Sequence, residues 1–206
     1  MKFITIIIII LILWSIWGYF GSRVEQTDYR VLEKKKDYEI RIYPSHIVAE
    51  TTITSASYNG AMNSGFSIVA GYIFGGNTKK EKIAMTAPVV MQNKSEKIAM
   101  TAPVVVNMSG DSRVIAFGMP RGYTLETLPK PNDSRVNLRQ VPEQKMAVLR
   151  FSWSRSEPRI QAMKDKLLAT LSRDGIETIG SPSYAGYNAP WTPPWMTRNE
   201  VLVEVK

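Results

Sequence analysis

Apolar residues follow two regimes along this chain. Residues 3–20 read FITIIIIILILWSIWGYF, almost without a polar interruption. From residue 38 onward, apolar and polar positions alternate over short periods. The first regime has the length of a bilayer-crossing helix, about 20 apolar residues for ~30 Å of hydrocarbon. Trp14, Trp17 and Tyr19 gather at its C-terminal end, where an interfacial aromatic belt would sit. A cleavable signal ends in small residues, and Tyr19 and Phe20 spoil that pattern, which favours an uncleaved transmembrane anchor. The short Met-Lys start looks like an export signal and predicts a single-pass protein of a bacterial inner membrane, its domain on the periplasmic, outer face. The basic residues Arg23, Arg30 and Lys34 to Lys36 count towards the opposite sidedness. The expected organisation is an anchor over 1–21, a polar linker over 22–37 and one domain over 38–206.

Within the domain, residues 38–54 are rich in Ile, Val, Thr and Tyr and predict a long strand broken near Pro44. Residues 57–74 carry Tyr58, Met62, Phe66, Val69 and Ile73 at helical spacing, and Gly75-Gly76-Asn77 ends that helix. Its other side is a row of small or polar residues, Asn59, Asn63, Ser67 and Gly71. A solvated face would carry Lys and Glu; this one lets a flat molecule, or another protein segment, approach the backbone. Residues 81–90 read EKIAMTAPVV, and residues 96–105 read the same again. Each copy has the apolar content of a short strand that should end or kink at its proline, and the pair could form a hairpin. Strands follow over 113–119, 135–141 and 145–153. A second helix over 157–173 has Pro158 in its first turn, a stripe of Ile160, Met163, Leu167, Leu168 and Leu171, and Asp174-Gly175 at its end. Strands over 183–188 and 200–205 flank a rigid Pro- and Trp-rich loop. Strand, helix and strands occur twice in that order, which predicts an α+β fold: a distorted antiparallel, barrel-like sheet with two helices in two pseudo-symmetric halves, plus the N-terminal transmembrane helix.

Composition narrows the chemistry. The absence of cysteine excludes disulfides, thiolate catalysis and Cys-ligated zinc. The lone histidine, His46, excludes a multi-histidine metal site. No serine sits in a Gly-x-Ser-x-Gly elbow and no phosphate-binding glycine loop is present. Net charge is +8, but the basic residues are scattered and no helix carries a basic stripe, so no nucleic-acid partner is expected. What remains is a binding protein rather than an enzyme. Trp191 and Trp195 offer flat apolar area on a proline-fixed loop. Arg198 could pair a ligand carboxylate or brace Glu200. His46 could serve as an axial haem ligand, and Met85 and Met100 hold equivalent repeat positions.

Taken together, these pieces resemble the SOUL haem-binding family. The resemblance runs through Tyr38-Glu39-Ile40-Arg41 with Tyr43, Gly75-Gly76-Asn77, the segment Lys82 to Val89, Met119-Pro120, Tyr187-Asn188-Ala189-Pro190-Trp191-Thr192 and Arg198-Asn199-Glu200-Val201. It implies haem or a related tetrapyrrole in a shallow hydrophobic groove beside the first helix of the domain, near the C-terminal loop. The matching positions are Asn63, Phe66, Ser67, Ala70 and Gly71, with Trp191 and Arg198 beside them. No Lys or Arg occurs between Arg41 and Lys79, so propionates would have to pair with Lys79, Lys80 or Arg198. The first repeat copy has the family's distance from the helix, which makes the second the insertion or the hairpin partner. Another flat hydrophobic molecule on the same groove, and a hydrolase on a related scaffold, are the competing readings.

Overall fold

The structure, a computed structural model, describes residues 2–21, 25–54, 57–79, 95–109, 112–189 and 191–206. An N-terminal helix α1 (Lys2–Gly21) leads into β1 (Glu25–Gln26), β2 (Arg30–Lys34), β3 (Glu39–Tyr43), β4 (His46–Thr54) and helix α2 (Tyr58–Ile73). Next come β5 (Asn77–Thr78), β6 (Thr101–Ala102), β7 (Val104–Ser109), β8 (Ser112–Gly118), β9 (Lys130–Pro131), β10 (Asn137–Val141) and β11 (Gln144–Phe151). Helix α3 (Glu157–Arg173), β12 (Thr178–Gly186), a 3-10 turn (Pro194–Met196) and β13 (Asn199–Val205) complete the order.

Nine strands form one antiparallel sheet in the order β10-β4-β8-β7-β12-β13-β11-β3-β2. Leaving out the edge strand β2, the order is a palindrome: β3 matches β10, β4 matches β11, α2 matches α3, and β7 and β8 match β12 and β13. The curled sheet carries both helices on one face, α2 over β4 and β8 and α3 over β11, β12 and β13. Ala49, Ile115, Phe117, Val106, Tyr184 and Val201 point to that face and form the main core with Val69, Tyr72, Leu167 and Leu171. The opposite face carries a smaller cluster of Tyr43, Met146, Val148, Tyr187 and Leu202.

Helix α2 shows why its face was misjudged. The Ser57 hydroxyl caps its start, accepting from the Gly60 N–H at 3.3 Å. Its buried side is Tyr58, Ala61, Gly65, Val69, Tyr72 and Ile73, while Phe66 is exposed and only leans on Phe117 at 5.3 Å. Gly65 sets the approach: a Cβ there would meet Ile115 Cδ1 at 2.6 Å. Helix α3 runs from Glu157 to Arg173, the span its stripe predicts.

Three expectations are corrected. Among the described residues, no helix is long and apolar enough to cross a membrane. The transmembrane helix is withdrawn, and with it the single-pass inner-membrane placement. The aromatic residue read as an interfacial anchor is engaged with protein instead: the Trp14 indole N–H donates to the Trp191 carbonyl at 2.9 Å, and its ring meets Trp195 edge-on at 5.3 Å. Second, the expected linker contains an edge strand. All five residues of β2 are exposed, so no burial pattern marked it, yet it pairs with β3. Third, the second repeat copy is built into the fold rather than inserted beside it: β6 pairs in parallel with β1 in a two-stranded sheet, and after a cis Ala102–Pro103 bond Val104 and Val105 begin β7 of the main sheet. The first copy, 81–90, and with it Met85, lies outside the described residues, as does Lys80.

Candidate functional site

Between α2 and the helix-bearing face of the sheet lies a groove of about 410 Å³. Successive turns of α2 present Tyr58, Asn59, Met62, Asn63, Phe66 and Ser67 to it. The sheet supplies the floor, Val104, Tyr184 and Gly186, and two loops supply Arg155 and Asn188. Arg155 is the one charged residue in this lining among the described residues. Burial pushes the Tyr184 phenol up to about 12, against the nearby Arg155 charge, which pulls it down. The Tyr184 hydroxyl donates to Asn199 Oδ1 at 2.8 Å. Burial likewise holds the Tyr58 phenol well above its ordinary range, with Arg113 and Arg155 acting against it. Two protonated phenols, three carboxamides, a thioether and a phenyl ring thus line the groove with one guanidinium among the described residues.

The structure divides the residues expected to form one site. Asn63, Phe66 and Ser67 line the groove. Ala70 is buried in the helix contact. Gly71 lies round the helix on a shallow depression of about 570 Å³ with Asn132, Asp133 and Arg135. Trp191 lies outside the groove lining, and its backbone carbonyl receives the Trp14 indole N–H. Neighbouring Trp195 stacks between Trp14 and Trp153, with ring centroids at 5.3 and 6.5 Å.

Arg198 braces Glu200 and is spent there. Its Nε and Nη2 lie 2.9 and 2.8 Å from Glu200 Oε1. Glu200 is fully buried, and its other oxygen accepts from Arg41 at 3.0 Å and from the Tyr187 hydroxyl at 2.8 Å. Burial disfavours the charged form of both arginines, but the Glu200 carboxylate outweighs it and holds both above the ordinary arginine value. Arg198 also stacks on the Tyr187 ring at 3.8 Å and donates to Gln26 at 2.9 Å. Lys79 stands 3.9 Å from Glu96. Neither Arg198 nor Lys79 is in the groove lining, where Arg155 is the charged residue among those described. Arg155 sits in a loop without periodic pattern, and no sequence signal distinguished it.

His46 is on the other side of the sheet. It stands where two depressions of about 470 and 320 Å³ adjoin; both include Thr27, the first holds Met119 and Tyr123, and the second Val105 and Met146. Its Nδ1 lies 2.9 Å from the Pro44 carbonyl oxygen. A carbonyl only accepts, so in the neutral ring Nδ1 carries the proton and Nε2 the lone pair. Among the described residues, no group of three or more His, Asp or Glu side chains could hold a metal ion.

A two-helix face on a curled antiparallel sheet, with a groove between helix and strands, defines a half-barrel α+β domain. The chain belongs to the SOUL family: the model described as "SOUL heme-binding protein" matches residues 24–95 and 90–204. Human "Heme-binding protein 2" is 29% identical over 154 residues, covering 74% of this chain and 71% of that protein. Among solved structures, the EcmrR C-terminal domain superposes with a TM-score of 0.57 at 10% identity, covering 86% of this chain and 98% of that one. A structure titled as a hydrolase from Listeria innocua superposes with a TM-score of 0.53 at 12% identity, covering 85% and 94%. At these identities the two structures share the fold alone.

Proposed function

We propose that this protein binds haem or a related tetrapyrrole in the α2 groove and holds it without chemical turnover. The observation that carries the reading is the lining itself: an apolar floor and, among the described residues, one cation, Arg155, in a chain of a heme-binding family. Such a ligand has a flat apolar face and carboxylates at one edge. Met62, Phe66, Val104 and Tyr184 suit the face, and Arg155 suits a carboxylate. The volume is at the lower end of the range of roughly 300–1,000 Å³ for small-molecule sites, so an edge of the macrocycle stays in solvent. Among the described residues no imidazole lines the groove, and the thioether of Met62 is its one soft donor. The macrocycle is therefore held by its plane and its charge. Among the described residues the lining offers no carboxylate or imidazole to act as a general base, which favours binding over hydrolysis.

Titration of the purified full chain with haemin, and separately with iron-free protoporphyrin, tests this. Both should bind and quench tryptophan fluorescence, and haemin should show a shifted Soret band. No response to either at micromolar concentration overturns the reading. A second reading follows from His46, whose Nδ1 contact with Pro44 leaves Nε2 free to ligate iron on the opposite face of the sheet. It requires that haemin bind far more tightly than the iron-free ring, and that His46→Ala change the Soret band.

A further inference from the structure

The loop between β11 and α3 carries Arg155, the charged residue of the groove lining, and its backbone is strained. Trp153 has φ +77°, and it is the one non-glycine residue with positive φ among the described residues. A bulky residue in the left-handed region persists only where its surroundings hold it there. The indole supplies little of that hold, being 62% exposed and 6.5 Å from the Trp195 ring. The hold is on the main chain. The Trp153 N–H donates both to Thr197 Oγ1 at 3.0 Å and to the Pro194 carbonyl at 3.1 Å.

The Thr197 hydroxyl has no capacity to spare. Its one proton goes to the Pro194 carbonyl at 2.7 Å, and its oxygen accepts from the Trp153 N–H and from Asn199 Nδ2, the latter at 3.3 Å. Asn199 is buried, and its Oδ1 accepts from the Tyr184 hydroxyl at 2.8 Å. A chain of hydrogen bonds thus runs from Tyr184 on the groove floor, through Asn199 and Thr197, to the backbone two residues before Arg155. Beyond Arg155 the Ser156 N–H donates to Ser154 Oγ at 3.2 Å, and α3 begins at Glu157.

We propose that Thr197 is the positioning residue of the groove: its hydroxyl holds the left-handed turn that presents Arg155 at the rim, and so makes the groove select ligands with a carboxylate at one edge. The inference rests on the α2 groove being the ligand site. Without the hydroxyl, Trp153 relaxes out of the left-handed region, and the changed φ redirects the chain that carries Arg155. The guanidinium then loses its place but not its charge. Met62, Phe66 and Val104 stand on α2 and β7 and keep theirs, so the grip on a flat apolar face is retained.

Two probes that share a ring, protoporphyrin and its dimethyl ester, separate the effects when titrated into the full chain by tryptophan quenching. The parent should hold the acid at least about tenfold more tightly than the ester, the worth of one charge-assisted bond. Thr197→Val and Thr197→Ala, which both remove the hydroxyl, should reduce that preference to the level of Arg155→Ala and leave ester affinity unchanged. Thr197→Ser should restore it. An undiminished preference, or equal losses for both probes, overturns the proposal. A ligand-free measurement keeps this distinct from the haem reading itself. Arg155→Ala should shift the Tyr184 titration upward in the parent, and clearly less in the Thr197→Val background, where the guanidinium has already moved. Equal shifts in the two backgrounds overturn the positioning role whatever the groove binds. Failure of both probes to bind, with that difference present, overturns the haem reading and supports the positioning of Arg155 by Thr197.

Discussion

Arg155 follows β11 and Arg198 precedes β13, neighbouring strands of the same sheet, and their surroundings are opposite. Arg198 is half-buried against the fully buried Glu200, with Tyr187 stacked on it and Arg41 on the far oxygen of the same carboxylate. Arg155 is exposed at the rim of the α2 groove. A buried guanidinium survives only with a full set of partners, and those partners leave it nothing to offer a ligand. A cation at a groove rim keeps its hydration until a ligand arrives, so its charge remains available. Under the proposed function the buried arginine belongs to stability and the exposed one to recognition, and the two roles separate experimentally.

The largest expected effect is on the buried side. Glu200→Ala strands Arg41 and Arg198 beside each other without their shared carboxylate. Losing one partner of a buried pair costs about 3–5 kcal/mol. Urea unfolding of the variant should show that loss with the m-value kept; a loss below about 1 kcal/mol would mean that solvent reaches the cluster.

Arg155→Glu should act on the other quantity. Folding stability should stay within about 0.5 kcal/mol of the parent, as for surface positions generally. Haemin affinity should fall at least about tenfold, since a charge-assisted bond contributes about 1.5–3 kcal/mol and each 1.4 kcal/mol is a factor of ten. Arg198→Lys is the contrasting variant: it keeps the charge but gives up the two-pronged contact with Glu200, and should lower stability more than affinity. An Arg155→Glu protein that binds haemin as tightly as the parent moves the ligand off this groove.

Gly65 connects the groove to the core. Adding a Cβ brings it within 2.6–2.8 Å of the Ile115 Cδ1 and Cγ1 atoms. Gly65→Ala should cost about 1–3 kcal/mol through overpacking, despite alanine's better helix propensity. Because α2 must then ride outward from the sheet, haemin affinity should fall with it. Unchanged stability would show that the Ile115 side chain can turn aside.

How far each part was legible in the sequence follows from what leaves a pattern. Helix α3 was readable to the residue because Pro158, a five-position apolar stripe and Asp174-Gly175 all agree. Helix α2 was readable in extent but not in facing. Phe66 outweighed Gly65 on any hydrophobic count, although the glycine makes the closest approach. The Asn63, Phe66 and Ser67 side of the groove was readable as a row of residues without charge. Arg155 was not, because a loop residue acquires its meaning only from what folds against it. For Arg198 the sequence left two roles open, a ligand carboxylate or Glu200, and the structure shows the contact with Glu200; what the sequence did not reveal is that Arg41, from the first strand of the domain, completes a buried cluster. Identical copies carry no information about which one the fold uses, so only the structure assigns the second to the sheet.

The smallest effect probes the groove electrostatics directly. The Tyr184 pKa is pushed by burial up to about 12, above the value of about 10 in an unfolded chain. A raised pKa on an acid means that the folded state favours the neutral phenol. Its contribution to stability is complete below about pH 10 and is lost as pH climbs through about 12. The Arg155 charge already pulls this pKa down. Arg155→Ala should therefore move the Tyr184 titration higher still and shift the alkaline loss of stability to higher pH. Tyrosinate absorbance measures it, taken as the difference between each protein and its Tyr184→Phe counterpart to remove the other tyrosines. A shift downward, or none, would place the guanidinium away from the groove floor; a matching Arg198→Ala titration should leave Tyr184 nearly unmoved, because that charge is neutralised by Glu200.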